Sequence, residues 1–173
     1  MLSGLAVFFA VSAVVILAHK LGHYLAGRWL VGIPAADIRL VIVSLPQYVA
    51  LQDGDRWASP TNFDRYLTAY HHHDPELDHV VAFLAAGELA QTAAVVTIAA
   101  VGVAGGVDVV AQSAVLASVM LVGYHLIADL ALNFHMGHPT GDVSALWYHS
   151  PITATVVLLL VAVPHAILYG LLI

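Results

Sequence analysis

The chain has 173 residues, 61% of them hydrophobic and only 9% charged, against roughly 25% charged in a soluble domain, which indicates an integral membrane protein. Its net charge of −6 argues against a nucleic-acid-binding protein, because that function needs a basic face. The absence of cysteine excludes disulfides and thiolate-bound metals, so any metal must be held by histidine or carboxylate side chains.

Residues 2–31 predict one long helix. The run from Leu2 to Ala18 is apolar and uncharged, and at about 1.5 Å per residue the helix can cross ~30 Å of hydrocarbon. Gly32 and Pro34 favour its end.

A β-like segment follows at residues 37–52. Its β-branched, apolar composition predicts a strand or a hairpin, in which Pro46 is kept off a central strand position. Backbone of this kind at membrane depth must be buried in protein or line a cavity.

The remaining chain predicts a polar loop at 53–79 and three further apolar spans at 80–107, 109–132 and 151–173. Helix breakers between Asn133 and Asp142 predict an unwound stretch. The predicted fold is therefore an all-α integral membrane protein: a single membrane domain, residues 1–173, with about four transmembrane helices and a short membrane-associated β segment after the first. Its environment is the lipid bilayer of the cell membrane, which the chain crosses several times.

His19 and His23 lie four residues apart, so their rings share one helix face and can converge on one transition metal. In the zinc-protease pattern His-Glu-x-x-His the glutamate is the general base, and here that position is Lys20. Protonated lysine cannot accept a proton from water. The alternative for the two histidines is a buried pair that is hydrogen-bonded to its neighbours.

Asp142 is the candidate third ligand. Two histidines and one carboxylate form an ordinary zinc set with one position open, and the preceding Gly141 lets the backbone bend. The alternative is that Asp142 is the N-cap of a helix beginning at Val143, because aspartate is a favoured cap. The residues alone leave these two roles equally open.

The order of these motifs resembles the site-2 protease family of intramembrane zinc metalloproteases, over about residues 5–150. The resemblance is carried by four features in chain order: His19-x-x-x-His23, Leu30-Val-Gly-Ile-Pro34 before a β-like segment, Gly87-Glu-Leu-Ala-Gln91, and the break with Asn133, Pro139, Gly141 and Asp142.

This resemblance implies a zinc ion held by His19, His23 and Asp142, with Asn133 near the substrate. It implies hydrolysis of a peptide bond within a membrane-spanning protein or peptide. Lys20 stands where the family has its water-activating glutamate, and Glu88 stands where it has proline. The chain is therefore expected to be an inactive or impaired member.

Three other polar residues in the spans are candidates for the surroundings of this metal. An intramembrane charge usually pairs, so Lys20 is expected to pair with Glu88 or Asp129. His125 and Asp129 share one helix face, and Asp129 could accept the free N–H of a ligand histidine or pair with His125.

Two other classes of function remain open. A membrane di-iron oxygenase or desaturase would use histidine boxes, here His19 with His23, His71-His72-His73, and His135 with His138. A non-enzymatic scaffold would use the polar residues as interhelical contacts. The triplet itself, followed by Asp74, is either a solvated loop, a peripheral metal site or a pH-sensitive lid.

Overall fold

A computed structural model describes residues 2–44 and 47–173. The expectation for Pro46 concerns a residue that lies outside these ranges. The elements in chain order are α1 (Leu2–Ala26), a π-helical turn (Gly27–Val31), β1 (Ile38–Val41), β2 (Tyr48–Asp53), β3 (Arg56–Ala58), α2 (Phe63–His71), α3 (Val80–Ala104), α4 (Asp108–Met136), α5 (Asp142–His149) and α6 (Pro151–Leu172).

Four helices are long and apolar enough to cross a membrane: α1 with its π-helical turn, α3, α4 and α6. They match the four predicted spans closely. A three-stranded antiparallel sheet in the order β1-β2-β3 follows α1, where the β-like segment was predicted. The coarse fold, mostly helical with a small sheet after the first long helix, is therefore confirmed.

Three details differ from the prediction. The segment 53–79 is not only a loop, because it holds β3 and α2. The third long helix continues to Met136 and ends at Gly137, whose φ of 74° suits a helix C-terminus. The break is therefore confined to residues 137–141, and α5 begins directly after it.

The sheet lies against the end of α1. Ile38, Leu51 and Ala58 occupy one row across the three strands, paired in register, and all three are buried with Phe83 of α3 in one apolar cluster. This cluster fixes the sheet beside the two helices that carry the polar core.

Helices α1 and α3 approach each other closely at Gly22. A Cβ atom at this position would collide with the carbonyl oxygen of Ala86 and would lie 2.7 Å from Cβ of Ala90. Only glycine permits this approach, which brings the histidines of α1 against the backbone of α3.

The turn between α2 and α3 is organised by the buried carboxylate of Asp74. Its Oδ2 accepts hydrogen bonds from the Tyr70 hydroxyl at 2.9 Å and from the main-chain N–H of His79 at 2.9 Å. Its Oδ1 accepts from the N–H of Asp78 at 3.1 Å. Burial alone would raise the pKa of Asp74, but the hydrogen bonds to His79, Tyr70 and Asp78 hold that pKa below its usual value.

We expect Asp74→Ala to destabilise the protein by about 1–3 kcal/mol, because three donors lose their acceptor. Since the pKa is lowered in the folded protein, the ionised carboxylate stabilises the fold above the unfolded value of about 3.9. The contribution of the ionised carboxylate to the difference in unfolding free energy between wild type and Asp74→Ala is therefore constant at neutral pH and shrinks as the pH falls below about 4. The free energy of unfolding of both proteins, measured in detergent at several pH values, tests this dependence. Asp78→Ala, which removes an exposed carboxylate, is the matched control, and an equal effect of both variants would contradict the expectation.

Candidate metal centre

Three ligand atoms, two from α1 and one from α5, converge beside α3. Nε2 of His23 lies 3.3 Å from Nε2 of His19 and 3.0 Å from Oδ2 of Asp142. Nε2 of His19 lies 3.6 Å from the same Oδ2. The structure thus brings together the three residues that the sequence suggested as ligands, and it does so with one atom from each.

The spacing of these atoms suits a tetrahedral metal. Bonds of about 2.0–2.1 Å at tetrahedral angles place neighbouring ligand atoms about 3.3 Å apart. The three observed separations, 3.0, 3.3 and 3.6 Å, scatter around that length. Three edges of one tetrahedral face are therefore present, and the fourth corner is free of these side chains.

Hydrogen bonding of the other ring nitrogen determines what His23 offers at this point. Its Nδ1 lies 2.8 Å from the carbonyl oxygen of Phe83, and a carbonyl can only accept, so Nδ1 carries a proton and donates. In the neutral ring Nε2 then presents a lone pair toward Asp142. This arrangement is the usual one for a metal-binding histidine.

His19 is held in the same way from the side of α3. Its Nδ1 lies 3.2 Å from Oε1 of Gln91, and the ring is almost completely buried, with 1% of its surface exposed. When both rings are neutral and carry their proton on Nδ1, two lone pairs and one carboxylate oxygen face one another. Such a surplus of acceptors is unfavourable unless a cation lies among them, so this group can hold a metal ion.

Backbone without a side chain makes room for the two rings. A Cβ atom at Gly87 would collide with Nε2 of His23 and would lie 2.8 Å from Nε2 of His19. The bare backbone of α3 therefore forms one wall of the centre.

Asp142 is the first residue of α5 and is half-buried. It does not cap its helix. The capping carboxylate is Asp129, whose Oδ2 accepts from the main-chain N–H of Ser144 at 2.7 Å. Because Asp129 satisfies this helix N-terminus, the side chain of Asp142 is free to face the histidines.

The expected roles of Asp129 are therefore wrong. Among the described residues, Asp129 neither accepts from a ligand histidine nor pairs with His125; it is buried against Gly141 and fixes the break that carries Asp142. His125 instead donates from Nδ1 to Oε1 of Glu88 at 2.9 Å. Oε1 of Glu88 also lies 3.8 Å from Nδ1 of His19.

Glu88 thus belongs to a second group, with His19 and His125, that could hold a cation on the far side of the His19 ring. Its Oε2 is buried and has no hydrogen-bond partner among the residues that the structure describes. The two groups share His19 and use opposite nitrogens of its ring.

Lys20 does not form the expected ion pair. It is half-buried, and within residues 2–44 and 47–173 no carboxylate lies within 4.0 Å of its ammonium group. The charges of Asp142 and Glu88 act on it from a greater distance. Lys20 therefore contributes a positive charge beside the centre without being neutralised by direct contact.

Among the described residues, no other sequence candidate makes a hydrogen bond or an ion pair with the three ligand atoms. Asn133 is half-buried in the last turn of α4, and its side-chain amide makes no hydrogen bond in the described part of the chain. His73 faces Asp37 at 4.0 Å. The other two histidine boxes do not join the centre among the described residues: His72 hydrogen-bonds to the carbonyl of Thr68, His138 stacks on Phe63, and His135 is exposed.

Sequence analysis missed Phe83 and Tyr66, and it did not give Gly87 or Gln91 a role. Phe83, Gly87 and Gln91 are spaced four apart, so one face of α3 meets the histidines, and that spacing was a signal. The charge of Asp142 also acts on Tyr66 of α2: burial, and to a smaller extent this carboxylate, raise the pKa of the Tyr66 phenol.

The chain matches no protein-family model, and no curated protein or solved structure is detectably similar to it.

Proposed function

We propose that this chain is an integral membrane protein of the site-2 protease type, which binds one zinc ion through His19, His23 and Asp142. Its substrate class is a membrane-spanning protein or peptide. Hydrolysis of the peptide bond is impaired or lost because Lys20 occupies the position of the general base.

One observation carries this proposal: three ligand atoms, two of them imidazole nitrogens, meet within 3.0–3.6 Å of one another. They come from the first long helix and from a helix that begins 119 residues after His23. Contact at that separation is not a consequence of local helix geometry. The hydrogen bonds from Nδ1 to Phe83 and to Gln91 further prepare both rings for a metal.

The chemistry of the centre divides between the metal and the chain. A bound zinc ion would supply Lewis acidity toward a peptide carbonyl. The chain would have to supply a base for water, and the ammonium group of Lys20 has no lone pair to offer. Glu88 cannot replace it from its present position, because its Oε1 lies on the Nδ1 side of the His19 ring.

The position of the centre supports a substrate from the membrane. His19 and His23 lie within a candidate span, and the neighbouring helices α3, α4 and α6 are candidate spans as well. Their outward faces carry exposed apolar side chains such as Phe9, Leu130 and Ile152. These faces allow a membrane-spanning segment to approach the centre through lipid.

The di-iron alternative finds less support. Of its three histidine boxes, only His19 and His23 lie at the centre. The second carboxylate–histidine group shares His19 with the first, and two metals would compete for one neutral ring. Metal content separates the two proposals: one zinc per chain for the first, and two irons for the second.

We expect the purified full-length protein in detergent to bind one zinc ion per chain, and His23→Ala to lose most of that affinity, since a ligand is removed. Competition with a chromophoric chelator measures the affinity, and elemental analysis measures the stoichiometry. His149→Ala, which removes a histidine at the end of α5, is the control. Wild-type protein without metal affinity, or an equal loss in the control, would contradict the proposal.

A further inference from the structure

A continuous chain of hydrogen bonds connects His19 to the last helix. From Nδ1 of His19 it passes to the amide of Gln91 at 3.2 Å, then to Oγ of Ser118 at 2.8 Å. From Ser118 it continues to Nε2 of His165 at 2.6 Å, and Nδ1 of His165 ends it on the carbonyl of Val161 at 2.7 Å. The chain crosses α1, α3, α4 and α6, and all four polar side chains are buried.

The direction of donation along this chain is determined at its far end. The carbonyl of Val161 can only accept, so Nδ1 of His165 must carry a proton. In the neutral ring Nε2 then has a lone pair, and the hydroxyl of Ser118 donates its single proton to it. Oγ of Ser118 is thereby left to accept from the side-chain NH₂ of Gln91.

The consequence reaches the metal centre. With its NH₂ group directed to Ser118, Gln91 presents Oε1 to His19, so Nδ1 of His19 must donate. The lone pair of that ring is then on Nε2, where it faces His23 and Asp142. Each link of the chain then joins one donor to one acceptor, and all the links run in the direction that suits a metal ligand.

The reverse direction is unfavourable. It would place the oxygen of Gln91 toward Ser118 and would require protons on both nitrogens of His165. That would bury a cation, and among the described residues no carboxylate lies within 4.0 Å of His165. Burying an unpaired charge costs on the order of several kcal/mol, because its hydration is lost. The forward direction is therefore the stable one.

Glu88 is the only rival acceptor for Nδ1 of His19 among the described residues. Its Oε1 is 3.8 Å away, beyond hydrogen-bond distance, and already accepts from His125 at 2.9 Å. The tautomer of His19 is therefore under the control of Gln91.

We infer that Ser118 and His165 are positioning residues for metal binding: through Gln91 they hold His19 in the tautomer whose Nε2 faces the centre. Neither residue contacts the ligand atoms, and neither belongs to the motifs that suggested the function. The inference rests on the proposed zinc site, whose own test is the metal affinity of the wild-type protein.

The first test measures zinc affinity in detergent. Ser118→Ala, Gln91→Leu and His165→Phe are each expected to lower it by about 10–100-fold, the range for outer partners of metal-binding histidines. Ser118→Thr keeps the hydroxyl and is expected to keep the affinity. Ser113→Ala and Gln112→Leu are matched controls, because they lie on the same helix α4 and outside the chain of hydrogen bonds; both are expected to bind zinc as the wild type does.

Coupling between the positions provides a sharper criterion. If Gln91 and His165 act along one chain, the double variant Gln91→Leu/His165→Phe should lose no more affinity than Gln91→Leu alone. Additive losses, or unchanged affinity in Ser118→Ala and His165→Phe while the wild type binds zinc, would overturn the inference and leave the zinc site standing.

The second test does not depend on metal. Nitrogen-15 NMR of histidine-labelled, metal-free protein should show protonated Nδ1 and unprotonated Nε2 in both His19 and His165. In Ser118→Ala the fixed tautomer of His19 should be lost. A proton on Nε2 of His19 in the wild type would refute the inference even if the protein bound no zinc and the proposed function itself had failed.

Discussion

Replacing Lys20 by glutamate should give the protein a hydrolytic activity that it otherwise lacks or shows only weakly. The substitution converts the sequence to His-Glu-x-x-His, with the carboxylate next to His19 in the chain. A positioned general base contributes typically ~10²–10⁴-fold to the rate. We expect a gain of that order in cleavage of a membrane-spanning model substrate, measured with the purified variant reconstituted in liposomes.

Charge and base function have to be separated in this experiment. Lys20→Glu also changes the field at the centre, since the positive charge beside Asp142 and Glu88 becomes negative and should strengthen zinc binding. Lys20→Gln removes the positive charge without supplying a base. Affinity should therefore rise in both variants, and cleavage only in Lys20→Glu.

The outcome distinguishes a disabled protease from a metal site with another use. Cleavage by Lys20→Glu that disappears in Lys20→Glu/His23→Ala would place the new activity at this centre. Zinc binding by Lys20→Glu without cleavage of any membrane-spanning substrate would contradict the proteolytic part of the proposal, and the metal-binding part would remain.

Gly87→Ala should eliminate metal binding by adding a single methyl group. The new Cβ would overlap Nε2 of His23 and would lie 2.7 Å from Cδ2 of the same ring and 2.8 Å from Nε2 of His19. These atoms belong to buried rings that are held by Phe83 and Gln91, so they cannot move aside without breaking those bonds. We expect the affinity for zinc to fall by more than the roughly 100-fold upper range for outer partners.

A glycine that has open space provides the comparison. Gly123 also lies within a long helix, and a Cβ there would meet nothing within 4 Å, so Gly123→Ala should bind zinc normally and be as stable or slightly more stable. If Gly87→Ala fails to fold, the double variant Gly87→Ala/His23→Ala should regain folding, because the ring with the two closest overlaps is gone and only the contact with His19 has to relax. Normal zinc affinity in Gly87→Ala would show that the two rings are not confined as the structure has them.

Hydrophobic patterning determined the long helices. Apolar runs with few charges predicted four spans within a few residues of their observed ends, and β-branched residues after Pro34 predicted the sheet. The apolar runs and the β-branched segment are local signals: each element can be recognised from its own residues, because backbone in lipid must satisfy its hydrogen bonds within helices or between paired strands. The prediction was wrong about residues 133–136, which continue α4: the main-chain N–H of Gly137 still donates to the carbonyl of Asn133 at 2.9 Å, although Asn133 seemed to open the break.

The sequence by itself determined that His19 and His23 share a helix face, because a spacing of four residues fixes that within one element. Only the tertiary structure decided what meets them. Asp142 could have been a cap or a ligand, and the contact of Asp129 with the N–H of Ser144 settled that it does not cap. The surroundings of Lys20, Glu88 and Asp129 depend on distances between helices. Sequence spacing cannot give these distances, because the packing of the helix backbones determines which side chains meet.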